Sequence, residues 1–282
     1  MKLTIFSKAL YSTWVYYSPD RILFDAGEGV SSVLGNKAFA IKHVFLSHGH
    51  ADHITGLIGF INIRNNAMGD TEKPLSIYYP EGNWRICELM VYLQKTVRRL
   101  KYALEWVPLV AGSKIPVFEG QNPRHVEAFE TVHSGGEKCL GYNVIEERKR
   151  LKTEYQKLSQ VEILKFIRQR GKEAVQETYA KKIFSYGGDS IPIEPAKIAG
   201  TEILCHDATF LNEADRQEYK HATLEEAIAT AKAAGVEKEL FAIHISSRYK
   251  HQIKQLEQKL NNERDLNFRV ILVPPGKVVN YE

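Results

Sequence analysis

Short runs of β-branched, aromatic or alternating apolar residues, separated by turn residues, dominate the start of the chain. They cover Leu3 to Phe6, Thr13 to Tyr17, Arg21 to Phe24 and His43 to Leu46. Such runs are typical of strands, because branched and aromatic side chains pack well on a pleated, half-buried surface. We therefore predict four strands here, and more strands between Trp106 and Tyr142.

Apolar residues at helical spacing alternate with these strands. One helix is predicted across Thr55 to Asn62, and a longer one near Asn83 to Tyr102, where apolar residues recur every three or four positions. Lys152 to Gln176 also has helical character. A further helix is predicted over Leu224 to Ala233, and Gly235 fits its C-terminal cap.

Length and composition favour a single domain over residues 1–282. Hydrophobic residues make up 44% of the chain, enough for a core, and no apolar run approaches the roughly 18 residues of a membrane span. A charge interrupts the first eight residues too early for a secretory signal, so we expect a cytoplasmic protein with no membrane partner. Cys87, Cys139 and Cys205 lack ligand spacing, and we expect small core residues there.

Positive charge is concentrated in one segment. The formal net charge is +4, but residues 148–182 contain eleven Lys or Arg against four Glu, a local charge of +7 that leaves the rest near −3. We interpret this segment as a basic helical insertion. Such a helix is often only a solvated face, but nucleic acid needs a positive surface, since phosphate neutralisation dominates non-specific affinity.

The densest chemistry lies in Ser47-His48-Gly49-His50-Ala51-Asp52-His53, directly after the apolar run Val44-Phe45-Leu46. Neutral imidazole and ionised carboxylate are ordinary ligands for zinc or a similar divalent ion, and four such donors can serve two ions. The four donors are His48, His50, Asp52 and His53. The alternative is a solvated turn, but polar turns do not usually carry this pattern where an apolar strand ends.

The pattern His48-x-His50-x-Asp52-His53 resembles the signature of the metallo-β-lactamase superfamily. The resemblance implies an α/β fold, the αββα sandwich, in which helices flank two mixed β-sheets. It also implies three further ligands downstream: a lone histidine, a bridging aspartate and a last histidine. The chain offers His133, Asp189 and His244 in that order.

Asp189 and His244 also fit on local grounds. Ile183 to Tyr186 predicts a strand ending at Gly187-Gly188, where a turn of small residues lets the backbone bring Asp189 close to a ligand. Leu240 to Ile243 predicts a second strand, which ends at His244. Taken alone, each residue is more often a cap or a turn former, and only the combination with the first motif favours metal binding.

Several further segments narrow the resemblance. Leu23 to Gly29, Gly141-Tyr142, His206 to Phe210, His221 to Thr223 and His244 to Tyr249 are similar to segments of ribonuclease Z, the tRNA 3′-processing endonuclease. The likeness extends from about residue 21 to residue 249. It implies a metal-dependent phosphodiester hydrolase.

The resemblance implies two divalent ions roughly 3.5–4 Å apart that share one bridging hydroxide and balance charge on the attacking and leaving oxygens. Asp189 would hold both ions. His48, His50 and His133 would complete one site, and Asp52, His53 and His244 the other. Zinc is the default ion for this ligand set, and manganese or iron are compatible.

Catalytic roles also follow from the resemblance. Asp52 would orient or deprotonate the nucleophilic water, and His221 would stabilise the transition state or protonate the leaving oxygen. The alternative for His221 is a histidine at a helix start. We hypothesise that Asp207 orients His221, and that Asp25 supports the metal loop through hydrogen bonds. The remaining histidines, His43, His125, His206 and His251, fit no ligand position.

Three functions remain open at this point. The first is a ribonuclease Z-like endonuclease acting on precursor tRNA, with residues 152–182 as a short basic exosite. The second is a phosphodiesterase for small or cyclic phosphodiesters, because the insertion lacks the Gly- and Pro-rich composition of many family arms. The third is a non-enzymatic RNA-binding relative, which has no reason to keep seven ligand positions. The resemblance also implies a possible homodimer.

Overall fold

Two seven-stranded sheets pack face to face in the computed structural model, which describes residues 3–67, 73–263 and 265–282. The strands are β1 (Leu3–Lys8), β2 (Ser12–Tyr17), β3 (Ile22–Phe24), β4 (His43–Phe45), β5 (Leu75–Pro80), β6 (Leu104–Leu109), β7 (Lys114–Phe118), β8 (Arg124–Glu130), β9 (Leu140–Leu151), β10 (Gln176–Tyr186), β11 (Ile203–Asp207), β12 (Glu239–Ile243), β13 (Arg269–Leu272) and β14 (Val278–Tyr281).

Helices cover the outer face of each sheet. The α-helices are α1 (Val30–Leu34), α2 (Ala51–Ile54), α3 (Gly56–Ala67), α4 (Trp84–Thr96), α5 (Gln160–Arg170), α6 (Lys172–Val175), α7 (Leu224–Ala234) and α8 (Ile253–Glu263). Short 3₁₀ segments lie at Gly35–Ala40, Thr153–Tyr155, Pro195–Ile198, Glu213–Asp215 and Ser247–Tyr249. Side chains of α1, α3 and α4 pack on the first sheet, and those of α7 and α8 pack on the second.

Both sheets are mixed. The first has the order β14-β1-β2-β3-β4-β5-β6, with β3 to β6 parallel, and the second has the order β13-β12-β11-β10-β9-β8-β7, with β10 to β13 parallel. Parallel strands place their carboxyl ends at one edge of a sheet, where α/β proteins collect their binding residues. The predicted αββα sandwich is confirmed in this arrangement of layers.

The space between the sheets is filled by aromatic and branched side chains. Phe24 lies 5.8 Å from Phe45 and 5.4 Å from both Phe184 and Tyr186, measured between ring centroids. Burying a side chain of this size contributes about 1.5–3 kcal/mol to stability. Because Phe24 and Phe45 belong to the first sheet and the other two rings to the second, this cluster fixes how the sheets meet.

Most predicted elements are present, with shifted ends. The first four strands are β1 to β4, and the helix that we predicted over Leu224 to Ala233 is α7, which ends at Gly235 in the left-handed conformation with φ 64°. The helix predicted to reach Tyr102 stops at Thr96. The Tyr102 hydroxyl instead donates to the Ile61 carbonyl of α3, so this residue packs across α3 rather than extending α4.

The segment 148–182, predicted as a basic helical insertion, is helical only at its centre. β9 continues to Leu151 and β10 begins at Gln176, and these two residues pair in an antiparallel ladder. The helices α5 and α6 lie between them. We call residues 148–182 the arm: it is a two-stranded extension of the second sheet with a helical tip.

Cys139 and Cys205 are buried and Cys87 is partly buried, all as free thiols, which agrees with their prediction as core residues. Across the described ranges, we find no helix with the length and apolar character that crossing a membrane requires.

Candidate metal centre

The predicted ligands follow strand ends at one edge of the sandwich. The loop from Ser47 to His53 begins two residues after β4 and runs into α2, while Asp189 follows β10 and His244 follows β12. His133 lies three residues beyond β8. Residues from both sheets therefore meet at this edge, four from the first sheet and three from the second.

One group consists of His48, His50 and His133. Their nearest ligand atoms all lie within 4.8 Å of one another, and His133 Nε2 is 3.2 Å from His50 Nδ1. These are the three histidines that we predicted for one ion.

The other group consists of Asp52, His53, Asp189 and His244, again with one ligand atom of each within 4.8 Å of the others. Asp189 lies between two imidazoles: its Oδ1 is 3.2 Å from His53 Nε2, and its Oδ2 is 3.2 Å from His244 Nε2. Asp52 Oδ2 is 3.3 Å from His244 Nε2 and 3.6 Å from His53 Nε2. This is the predicted second set together with the predicted bridging aspartate.

Unsatisfied polar atoms show that a cation fits between these groups. His48 Nε2, His53 Nε2 and Asp189 Oδ1 are buried without a well-directed hydrogen bond within the described part of the chain, although His53 Nε2 and Asp189 Oδ1 lie 3.2 Å apart. Burying a polar atom without a partner costs about 1–3 kcal/mol. Imidazole nitrogen and carboxylate oxygen are the donors that Zn²⁺ and similar ions prefer, so bound metal would satisfy these atoms.

Hydrogen bonds at Nδ1 determine which ring nitrogen each of four histidines turns towards the metal site. His53 Nδ1 lies 2.6 Å from Asp25 Oδ2, and His133 Nδ1 lies 2.9 Å from the Lys220 carbonyl, so both Nδ1 atoms are donors. His48 Nδ1 lies 3.0 Å from Ser47 Oγ, and His244 Nδ1 lies 2.9 Å from Thr209 Oγ1. In the neutral form of each of the four rings Nε2 is the free acceptor for a metal, the arrangement that raises ligand basicity.

Asp25 supports the metal loop from below, as we hypothesised. It is fully buried and accepts hydrogen bonds from Ser47 N at 2.6 Å and Ser47 Oγ at 2.7 Å, besides the one from His53. The Tyr186 hydroxyl of the opposite sheet also donates to it, at 2.6 Å. With four donors the carboxylate is fully used by hydrogen bonds, so it holds the loop in place and belongs to neither ligand group.

The charges of the site are arranged for cations. Burial alone would lower the pKa of His53, but the carboxylates of Asp189 and Asp25 outweigh it and hold that pKa well above its usual value. Burial dominates at His48, whose pKa lies well below the usual value. Burial raises the pKa of Asp189, yet His244 and His53 outweigh it and keep Asp189 ionised. The centre therefore attracts positive charge to its carboxylates.

His221 stands beside the second group, with 5.0 Å between its ring centroid and that of His244. A third group overlaps the second, because one ligand atom each of Asp189, Asp207, His221 and His244 lies within 4.8 Å of the others. His221 Nδ1 lies 2.6 Å from Asp207 Oδ2, and Asp207 is itself held by the backbone N–H groups of Ser190 and Thr209. Burial lowers the pKa of His221, but the Asp207 carboxylate outweighs it and raises the pKa to about 9. His221 is thus oriented by Asp207, whose carboxylate favours the protonated form of the ring.

Two glycines let the chain approach the centre. Gly188 has φ +63°, and a Cβ atom built there would lie 2.5 Å from Ser47 Cβ. At Gly187, a Cβ atom would lie 2.6 Å from Ile193 Cδ1. The glycine pair therefore positions Asp189 against the loop of the other sheet.

The other histidines stay outside the centre. Among the described residues, the ligand groups contain none of the four remaining histidines, His43, His125, His206 and His251. His206 is buried and accepts a hydrogen bond from Ile193 N. Sequence reasoning missed the supporting partners Tyr186, Thr209 and the Lys220 carbonyl. Of these three partners only Thr209 had a local signal in the sequence, because it stands two residues after Asp207.

Known proteins are similar to this chain in sequence and in fold. A family model described as a beta-lactamase superfamily domain matches residues 20–152. The ribonuclease Z of Methanosarcina mazei is 31% identical over 274 residues, covering 89% of this chain and 85% of that protein. The ribonuclease Z of Listeria innocua is 33% identical over 251 residues, covering 80% of this chain and 78% of that protein.

Among solved structures, the human short form of tRNase Z is similar, with a TM-score of 0.63 at 20% identity, covering 99% of this chain and 98% of that chain. At this identity the likeness concerns the fold. It confirms the predicted metallo-β-lactamase fold.

Proposed function

We infer the function from one premise: this chain belongs to the ribonuclease Z family, within the β-lactamase superfamily. The chain is accordingly a metal-dependent hydrolase. Because relatives named ribonuclease Z match most of its length, its reaction is the endonucleolytic cleavage of precursor tRNA at the 3′ end of the tRNA.

One observation carries the assignment of the active site. Seven side chains converge in two groups that contain buried imidazole Nε2 and carboxylate oxygen atoms, and His221 and Asp207 lie against Asp189 and His244 of the second group. We propose that the two groups hold one divalent ion each, with Asp189 shared, and that zinc is the ion. When bound, such a pair lowers the pKa of a water and neutralises charge on phosphodiester oxygens.

The chain's own residues would do the rest of the chemistry. Asp52 Oδ2 faces both His53 and His244 and is only partly buried, so it can accept a proton from an attacking water. His221 stacks on His244, with 5.0 Å between the ring centroids, and in its protonated form can give a proton to the leaving oxygen. General acid–base help of this kind is typically worth about 10²–10⁴-fold in rate.

The arm supplies a positive surface for RNA. Its exposed cations are Lys149, Arg150, Lys157, Lys165, Arg168, Arg170 and Lys172, of which Arg150 pairs with Glu177. We propose that these contact the RNA backbone away from the metal centre, as the short basic exosite that we predicted. A cytoplasmic location and a homodimer remain predictions.

The alternative substrate class, small or cyclic phosphodiesters, is not favoured, because the matching relatives are ribonucleases Z.

A pair of substrates tests the proposal. The purified protein should cleave a precursor tRNA carrying a 3′ trailer, and it should also hydrolyse bis(p-nitrophenyl) phosphate, which needs only the metal centre. Asp52→Ala should abolish both activities. Hydrolysis of the small ester without any cleavage of precursor tRNA would overturn the tRNA assignment while leaving the hydrolase intact.

A further inference from the structure

A buried carboxylate outside the ligand groups connects two loops of the metal centre. Glu137 lies four residues after His133, in the loop between β8 and β9, and its side chain is 4% exposed. Its Oε1 accepts hydrogen bonds from Gly49 N at 3.0 Å and Asn83 Nδ2 at 2.7 Å. Its Oε2 forms an ion pair with Arg85.

The partner of greatest consequence is Gly49, because it stands between the ligands His48 and His50. Glu137 therefore ties the backbone between these two histidines to the loop that carries His133. A parallel tie runs from Leu140 N to the Ser47 carbonyl, at 2.9 Å. The three-histidine group draws ligands from both sheets, and these two bonds set the distance between its halves.

The start of α4 supports the same point. Asn83 caps this helix by accepting from Ile86 N, and its Nδ2 also donates to the Lys138 carbonyl at 3.0 Å. A Cβ atom added to Gly49 would collide with Asn83 Oδ1 and Arg85 Cβ. The metal loop therefore packs against the start of α4 with no free space at Gly49. Glu137 contacts both the loop and α4, because it accepts hydrogen bonds from Gly49 N and Asn83 Nδ2.

We propose that Glu137 is a positioning residue for the metal site of His48, His50 and His133, acting through the Gly49 backbone and not by touching the ion. The inference rests on the proposed function for the presence of two ions, but it concerns only one of them. Because Arg85 neutralises the carboxylate, the contribution of Glu137 is the fixed geometry of its hydrogen bonds, with little net charge added to the site.

Equilibrium zinc binding to metal-free protein, measured against a competing chelator, tests this directly. Glu137→Ala should bind one equivalent with the affinity of the unchanged protein and the other about 10–100-fold more weakly, the usual cost of losing a partner that orients a ligand. Glu137→Gln keeps an oxygen for Gly49 N–H and should recover part of that loss. Arg85→Ala leaves both Oε1 hydrogen bonds in place and uncovers the negative charge of Glu137, so it should weaken neither zinc site.

The matched control is Asp20→Asn. Asp20 is another buried carboxylate, paired with Arg124 at 2.6 Å. This pair lies at the starts of β3 and β8, whereas the metal centre lies beyond the ends of these strands. Asp20→Asn should lower the melting temperature and leave both zinc affinities unchanged.

Two results would overturn the proposal: two equivalents of unchanged affinity in Glu137→Ala, or an equal weakening of both, which indicates general destabilisation. If Glu137→Ala fails to fold, Glu137→Met, which keeps the bulk of the side chain but offers no oxygen to Gly49 N–H, decides by the same criterion. The assay contains no RNA, so failure of the tRNA assignment would appear separately, as unchanged zinc binding without tRNA cleavage in the unmodified protein.

Discussion

Two hydroxyl groups decide which nitrogen a pair of histidines presents to metal. Ser47 Oγ donates to Asp25 and Thr209 Oγ1 donates to Asp207 at 2.8 Å, so each oxygen can only accept from its histidine, His48 or His244. Each half of the centre therefore contains a carboxylate, a hydroxyl and an imidazole in series. This series sets the tautomer and ring orientation before any ion binds.

The role of His221 is testable at the same scale. Its imidazole is oriented by Asp207 and belongs to neither predicted ligand set, so His221→Ala should lower kcat on precursor tRNA by about 10²–10⁴-fold while the metal content stays near that of the unmodified protein. Elemental analysis and steady-state kinetics measure both quantities. His251→Ala, an exposed histidine, is the control and should change neither. An unchanged kcat would remove His221 from the mechanism.

The sequence could predict the seven converging residues, because four lie in one short motif and the other three follow strand ends in the order that the resemblance to the family implies. It could not predict the partners that orient them. Tyr186 reaches Asp25 across 161 positions of sequence, and Lys220 offers only its backbone carbonyl, which no residue type identifies. Glu137 shows the same limit, since it reaches Gly49 across 88 positions.

At the scale of elements, the turn after β10 determines whether Asp189 reaches the centre. Gly188→Ala should place a methyl group against Ser47, push Asp189 away and lower zinc content and turnover. The matched control is Gly200→Ala, which has a similar φ of +67° but nothing within 4 Å of the added Cβ. Both variants should lose about 1–2 kcal/mol of stability, because alanine is strained in the left-handed backbone conformation. Equal zinc content in the two variants would contradict the argument.

The arm shows why local patterns misjudge element type. Residues such as Arg148 to Leu151 and Gln176 to Lys182 are charged and mixed, so their spacing fits a helix face as well as a strand. The β9–β10 ladder decides the matter by long-range pairing, from Tyr186 against Tyr142 out to Gln176 against Leu151. The helical tip was predictable, because Ser159 and Glu162 form a capping box at the start of α5.

At the scale of the whole molecule, the metal centre joins the two halves of the sandwich. The first sheet contributes the loop from His48 to His53, and the second contributes His133, Asp189 and His244. The aromatic cluster between the sheets fixes their approach from the inside, and the centre fixes it at one edge. Substrate chemistry and the junction of the sheets therefore depend on the same residues.

The arm adds a separate electrostatic contribution that can be removed without touching this junction. Because Leu151 pairs with Gln176, residues 152–175 can be replaced by an Asn-Gly turn, the two-residue connection that antiparallel strands favour. The deletion removes six cations, among them Lys165, Arg168 and Arg170, and three Glu. Phosphate neutralisation makes RNA affinity fall with salt in proportion to the contacts made. We expect a higher KM for precursor tRNA and a shallower salt dependence of binding, with kinetics on bis(p-nitrophenyl) phosphate unchanged.

Replacing the three named cations by Gln in the full chain should give the same trend with the fold intact. If the salt dependence of RNA binding is identical in all three proteins, the arm is only a solvated surface and the RNA is held elsewhere.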